Sequence, residues 1–228
     1  RKLVKDSRLH KIEGLTKEEH RARVMEQLHL LAEAGMVRKP FPEEFGGERD
    51  NGGNIAAFEE LVTADPSLQI KAGVHWGLFG SAVLHLGSAE HHRRWLPDIL
   101  DLTVPGAFAM TEVGHGSDVA SIGTTATYHA DSETFILHSP FPAATKRYLG
   151  NAANDAKDAV VFAQLITNGV NHGVHCFYVN IRDDEGNPLP GITITDDGHK
   201  GGLNGVDNGR FTFDHVEVAR WSGKGGGR

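Results

Sequence analysis

The chain is 228 residues long and 39% apolar before its 28 glycines are counted, enough to bury a core as one large domain or two smaller ones and to exclude a disordered or fibrous chain. Thirty acidic against 23 basic residues give a net charge of −7, with no Lys/Arg stripe of the kind that binding to nucleic acid requires. The one cysteine, Cys176, excludes an internal disulfide framework and a Cys-rich zinc site and suits a reducing compartment.

Helical spacing governs the first hundred residues. Residues 1–11 lack the apolar core of a signal peptide and open on Arg1 rather than Met, which reads as an excerpt of a longer protein. Thr16 followed by Glu19 forms a capping box, and Val24, Leu28, Leu31 and Ala32 then share a face until Gly35 closes a helix of about five turns. Pro40-Phe41-Pro42 and Gly46-Gly47 interrupt the pattern. Ile55, Phe58 and Val62 restore it in a second helix expected to begin near Gly53 and to bury that face. Residues 67–86 are apolar nearly all round, with Gly73, Gly77 and Gly80 suited to close helix packing. The uncharged run 72–89 carries His75, Ser81, His85 and Ser88 and reads as a buried helix, so no membrane span is expected. Ser88 starts one more short helix, which Pro97 must end or kink.

From Gly106 the period changes to two. Residues 125–128, 134–138, 160–166, 174–181 and 192–195 are rich in β-branched and aromatic side chains and are separated by polar turn sequences such as Asp131-Ser132 and Asn168-Gly169. Phe211 and Phe213 share a face that Val216 and Val218 do not continue, which predicts a bulge or bend at Asp214-His215. The expected class is α+β: an N-terminal α-helical domain (1–105), an antiparallel β-barrel or sandwich domain (106–220) and a flexible glycine-rich tail (221–228).

Fourteen histidines raise the question of a metal, yet their spacing supports no site. His172 and His175 point to opposite faces if they share one strand, His91 and His92 diverge on a helix, and no H-E-x-x-H pattern occurs. The segment 183–187 has part of a calcium loop's composition without its alternating ligands, so a hairpin turn fits it better. Ser117 in Gly114-His115-Gly116-Ser117-Asp118 could be a hydrolase nucleophile, although the Gly-x-Ser-x-Gly elbow between strand and helix is missing. The same glycines could instead admit a phosphate to backbone N–H groups, or simply form a tight turn.

Phe108-Ala109-Met110-Thr111-Glu112-Val113-Gly114-His115-Gly116-Ser117-Asp118 closely resembles the signature that opens the middle β domain of the acyl-CoA dehydrogenase and acyl-CoA oxidase flavoenzymes. Further resemblances follow in order: Pro42-Glu43-Glu44-Phe45-Gly46-Gly47, Ala144-Thr145-Lys146, Gly173-Val174-His175, and 204–211 leading into Phe213-Asp214-His215-Val216. They cover about residues 15–220. His115, together with Gly150 where a dehydrogenase carries threonine, resembles the oxidase branch.

The resemblance implies FAD-dependent oxidation of acyl-CoA to trans-2-enoyl-CoA, with O2 or an electron-transfer partner reoxidising the flavin. It places Phe108, Met110 and Thr111 along the isoalloxazine ring, with Thr111 at its polar edge. Gly116 and Ser117 fall near the flavin pyrophosphate, Ser117 also near the bound acyl-CoA. Tyr148 offers an aromatic contact to the flavin, or alternatively is a core aromatic, and Gly150 offers its N–H toward the flavin N5. The family's catalytic carboxylate belongs to a C-terminal helical domain that this sequence lacks, so no catalytic residue is assigned. Glu112 is not the base by family analogy and reads as a strand-end or turn carboxylate. The chain alone is then expected to be an inactive portion of a homo-oligomeric enzyme, prone to self-association through exposed apolar surface. A non-catalytic binding module is the alternative. The expected compartment is the bacterial cytoplasm, or the peroxisome for a eukaryotic source.

Overall fold

The computed structural model describes residues 3–219; the tail expected to be flexible, 221–228, lies outside the described residues. Helix α1 (Lys17–Glu33) begins as its capping box dictates. The Thr16 hydroxyl accepts the Glu19 N–H at 3.2 Å and the Glu19 carboxylate accepts the Thr16 N–H at 2.8 Å. Gly35, at φ 71°, takes the left-handed conformation beyond its end. Helix α2 (Asn51–Leu61) starts two residues before the expected Gly53, because the Asp50 carboxylate caps the Gly53 N–H at 2.8 Å. Its expected core face is corrected too. Ile55 and Val62 are exposed and Leu61 is buried instead, with Phe58 lying against Gly73.

The apolar stretch 67–86 forms one continuous helical rod: α3 (Pro66–Ala72), a π-helical segment (Gly73–Gly80) and α4 (Ser81–Leu86). Two of its three glycines serve close approach as expected: a Cβ at Gly80 would lie 3.2 Å from Ile99, and one at Gly73 3.0 Å from Phe58, whereas Gly77 is exposed and a Cβ there would meet nothing within 4 Å. Of the two outcomes expected at Pro97, an end or a kink, the end does not occur in helix α5 (Ala89–Leu100). It runs three residues further because Leu96, Ile99 and Leu100 are all fully buried, which offsets the lost intrahelical bond.

Nine strands follow among the described residues. The larger sheet holds β1 (Gly106–Ala109), β5 (Asp158–Thr167), β2 (Thr125–His129), β3 (Thr134–His138) and β9 (Val216–Ala219), with β6 (Val170–Asn180) on the other edge of β5. The smaller has the order β4 (Lys146–Leu149), β8 (Gly209–Phe213), β7 (Ile192–Asp196). The pairing is mostly antiparallel as expected. Two exceptions are parallel: β1 beside the first half of β5 and β2 beside its second half. The β5–β6 hairpin turns at Asn168-Gly169, both at positive φ as a tight two-residue turn requires. The phase break at Asp214-His215 is a corner at which the chain leaves the smaller sheet for the larger one, with His215 at φ 53°.

Alternation along the larger sheet gives two buried faces. Phe108, Val160, Phe162 and Tyr178 pack on the helices, while Ala107, Val161, Ala163, Phe177 and Val179 pack toward Phe211 and Phe213 of the smaller sheet. His75 joins helix to sheet. Its Nε2 donates to the Ile99 carbonyl at 2.8 Å and its Nδ1 accepts the Gly106 N–H, the first of β1, at 3.1 Å. Burial pulls its pKa down to about 4, so the ring is neutral.

Candidate functional site

Beyond β1 the signature runs antiparallel to the segment that leads into β4. Gly114 N–H donates to the Ala143 carbonyl at 2.8 Å, Val113 to Thr145 at 3.0 Å, and Arg147 back to Thr111 at 3.0 Å. Glu112 therefore lies opposite Lys146. Both side chains are buried and form an ion pair at 2.9 Å.

That pair is fully satisfied. Lys146 also donates to the carbonyls of Met110 at 3.0 Å and Phe162 at 2.7 Å, which occupies the three N–H groups of an ammonium. Glu112 accepts the Thr124 hydroxyl at 2.6 Å and the N–H groups of Gly123 at 2.6 Å and Thr124 at 3.0 Å. Burial alone pushes the Glu112 carboxyl up. The Thr124 hydroxyl, the Lys146 charge and the Gly123 N–H outweigh it and hold the carboxyl below its ordinary range. Glu112, in a bridge just beyond β1 at the start of a turn, is thus the expected strand-end or turn carboxylate and also a buried fastener joining the two segments that carry the candidate residues. Sequence reading missed the role of Lys146, which stands between Thr145 and Arg147 and so carries no local sign of burial.

Two residues on, Tyr148 is 64% exposed at φ 62°, which overturns its alternative reading as a core aromatic. Its carbonyl accepts from Asn208 Nδ2 at 3.2 Å, and the Arg147 guanidinium lies 5.0 Å from its ring centroid. Asp197 steadies that guanidinium at 3.5 Å while taking Arg210 at 2.5 Å. Gly150 meets the π-helical segment: a Cβ there would fall 2.7 Å from Val74 Cγ2, so this close approach itself calls for glycine.

Thr111 and Tyr148 thereby occupy neighbouring segments joined by the Arg147–Thr111 bond. Phe108 and Met110 are half-buried against the helical layer, with the Phe108 ring 4.9 Å from that of Phe162. Gly116 and Ser117 lie further out, on an exposed loop whose base is closed by two bonds between Glu112 and His115, at 3.0 and 3.2 Å. The Ser117 hydroxyl makes no hydrogen bond among the described residues, and His115 Nδ1 faces Glu112 at 3.9 Å. A nucleophile and base pair is not formed, which removes the support for a Ser117 hydrolase.

The concavities lined by Arg8, Arg23 and Gln27 and by Val4, His10 and Glu60 contain none of these residues. The candidate site is an open shelf on the β side. An exposed aromatic ring, a half-buried threonine on the paired segment, and a glycine loop with open space around Gly116 could hold a planar heteroaromatic ligand that carries a phosphate tail.

Known proteins resemble this chain over most of its length. Family models described as "Acyl-CoA dehydrogenase, N-terminal domain" and "Acyl-CoA dehydrogenase, middle domain" match residues 1–103 and 107–216. A peroxisomal acyl-coenzyme A oxidase 3 of Arabidopsis thaliana is 44% identical over 205 residues, 90% of this chain and 30% of that protein. Among solved structures, acyl-CoA oxidase1 of Yarrowia lipolytica superposes with a TM-score of 0.82 at 30% identity, covering 90% of this chain and 29% of that one. Acyl-CoA oxidase-1 of Caenorhabditis elegans, complexed with FAD and ATP, gives 0.78 at 31% identity, covering 96% and 32%. The chain spans about 30% of the length of the curated relatives it matches.

Proposed function

The chain belongs to the acyl-CoA dehydrogenase family, and on that premise we propose that its protein oxidises acyl-CoA to trans-2-enoyl-CoA with FAD, residues 1–105 and 106–220 being the helical and β domains that seat the flavin. The single observation that carries this reading is the lacing of the Phe108–Asp118 signature to the Lys146–Asn151 segment, which sets Thr111 opposite Arg147, the residue before the exposed Tyr148. FAD, when bound, would supply the sink that takes the β-hydrogen as hydride.

The chain's own residues would bind and orient. Phe108, Met110 and Thr111 would run along the isoalloxazine, Tyr148 would give it an aromatic contact, and the Gly150 N–H would face N5. Gly116 and Ser117 would meet the pyrophosphate, with Ser117 also near the acyl-CoA. The α-proton goes to a carboxylate that these residues do not provide. Glu112 is unfit for that task, since its two oxygens are taken by Lys146, Thr124 and Gly123. Oxygen is the proposed acceptor, yielding peroxide, on the strength of His115, Gly150 and the oxidase names of the relatives. The relatives' peroxisomal names favour the peroxisome over a bacterial cytoplasm. A homo-oligomer is proposed for the whole protein.

Titrating the 228-residue chain with FAD, followed by quenching of flavin fluorescence, tests the reading. It predicts saturable binding that weakens at least about tenfold in Tyr148→Ala, the loss of one stacking contact of about 1.5 kcal/mol. Binding unaffected by the substitution contradicts the placement. Enoyl-CoA formation by this chain alone would show that it does hold a base.

A further inference from the structure

Among the described residues, one group of three side chains has the chemistry and closeness to hold a metal ion, and it is not one that histidine spacing singled out. His138 ends β3, while Asp214 and His215 form the corner between β8 and β9; one donor atom from each lies within 4.8 Å of the others. Asp214 Oδ1 is 2.7 Å from His215 Nδ1 and 3.8 Å from His138 Nδ1. Bonds of about 2.1 Å to a zinc-like ion set neighbouring donors roughly 3.0–3.5 Å apart, a spacing that these two distances bracket.

The backbone holds the group in place from both sides. Ser139 N–H donates to the Phe213 carbonyl at 2.8 Å, Phe213 N–H returns to the Ser139 hydroxyl at 3.2 Å, and Asp214 N–H donates to Gly191 at 2.8 Å. His215 adopts the left-handed conformation, φ 53°, which lays its ring over that of His138 with centroids 4.0 Å apart and 26° between the planes; His215 is exposed and hydrogen-bonded to Asp214, and its ring must swing to turn a nitrogen toward a shared ion. His138 Nδ1 is buried yet has no hydrogen-bond partner. That nitrogen lies 3.8 Å from the Asp214 carboxylate, and in the Nε2–H tautomer its lone pair is available to a metal ion.

We propose that His138, Asp214 and His215 bind one divalent transition-metal ion of the zinc class, with water completing the shell, and that the ion pins the end of β3 to the corner where the chain changes sheets. Two imidazoles and one carboxylate suit zinc better than calcium or magnesium, which prefer all-oxygen shells. Cys176 does not compete, because burial pushes its thiol up to about 12 and keeps it protonated.

The test is calorimetric titration of the chain with Zn2+, repeated with Co2+ for its visible absorption. His138→Gln and His215→Asn, asparagine being tolerant of the left-handed conformation, are the variants, and His172→Gln is the control. The expected result is one saturable site, a rise of several degrees in Tm with Zn2+, and at least tenfold weaker binding in both variants with the control unchanged. Circular dichroism verifies that the variants fold. Absence of saturable binding in the parent chain overturns the proposal, as does equal binding by folded variants, which would assign the ion to other histidines. Flavin binding does not enter either readout, so this test stands apart from that of the proposed function.

Discussion

Glu112 and Lys146 are individually unsuited to burial, and each is there because of the other. Removing one partner strands a charge, so Lys146→Met should cost about 3–5 kcal/mol in urea unfolding, while Glu112→Gln with Lys146→Met should cost clearly less than the two single changes added together. Additive losses would mean that the pair does not act as a unit. His75 makes a second prediction at this scale. Its folded pKa of about 4 lies below the ordinary 6.5, so the unfolded chain binds the proton first as the pH drops. Its contribution is complete above about pH 6.5 and is lost as pH falls toward 4. Between pH 7 and 4.5 the parent should lose roughly 2–3 kcal/mol more than His75→Phe, judged by urea midpoints at both pH values. Equal losses would remove His75 from the account.

Among the elements, what was legible followed the range of the interaction. The capping box at Thr16 and Glu19 is local, so sequence spacing found it, and the phase break between Phe213 and Val216 announced the change of sheet. The course of α5 through Pro97 was not legible, since the burial of Ile99 and Leu100 that sustains it comes from other elements. Neither was the parallel pairing of β1 and β2 with β5, which no local pattern encodes. Gly150 shows both limits: resemblance gave it a role toward flavin, whereas its contact with Val74 emerges only from how the helical rod meets β4. Gly150→Ala should therefore destabilise the fold by about 1–3 kcal/mol, and Val74→Ala in the same chain should recover part of that loss in thermal melts. A Gly150→Ala chain as stable as the parent would contradict the close approach.

Across the whole molecule, helical and β parts are joined by charge as well as by apolar packing. Lys71 of α3 is fully buried, paired with Asp207 and 2.6 Å from Asp155, while Asp207 accepts the N–H groups of Asn154 at 2.7 Å and Asp155 at 3.1 Å. The surrounding run reads as apolar, so sequence gave no sign that its lysine reaches across to the β part. Lys71→Met should lower stability by about 3–5 kcal/mol and broaden the unfolding transition or divide it in two, as seen by circular dichroism and tryptophan fluorescence together. A single coincident transition of unchanged midpoint would show that the pair does not couple the two parts. The candidate site depends on the same joining, because Val74 of the helical rod backs Gly150 while the strand pairing presents Tyr148. Its motifs were visible along the chain, but the ion pair that brings them together was not. The most direct test of the central claim is hydrogen exchange of the chain with and without FAD. Protection concentrated in residues 108–118 and 146–151 is predicted; protection confined to other segments, or none at saturating FAD, would contradict the flavin shelf.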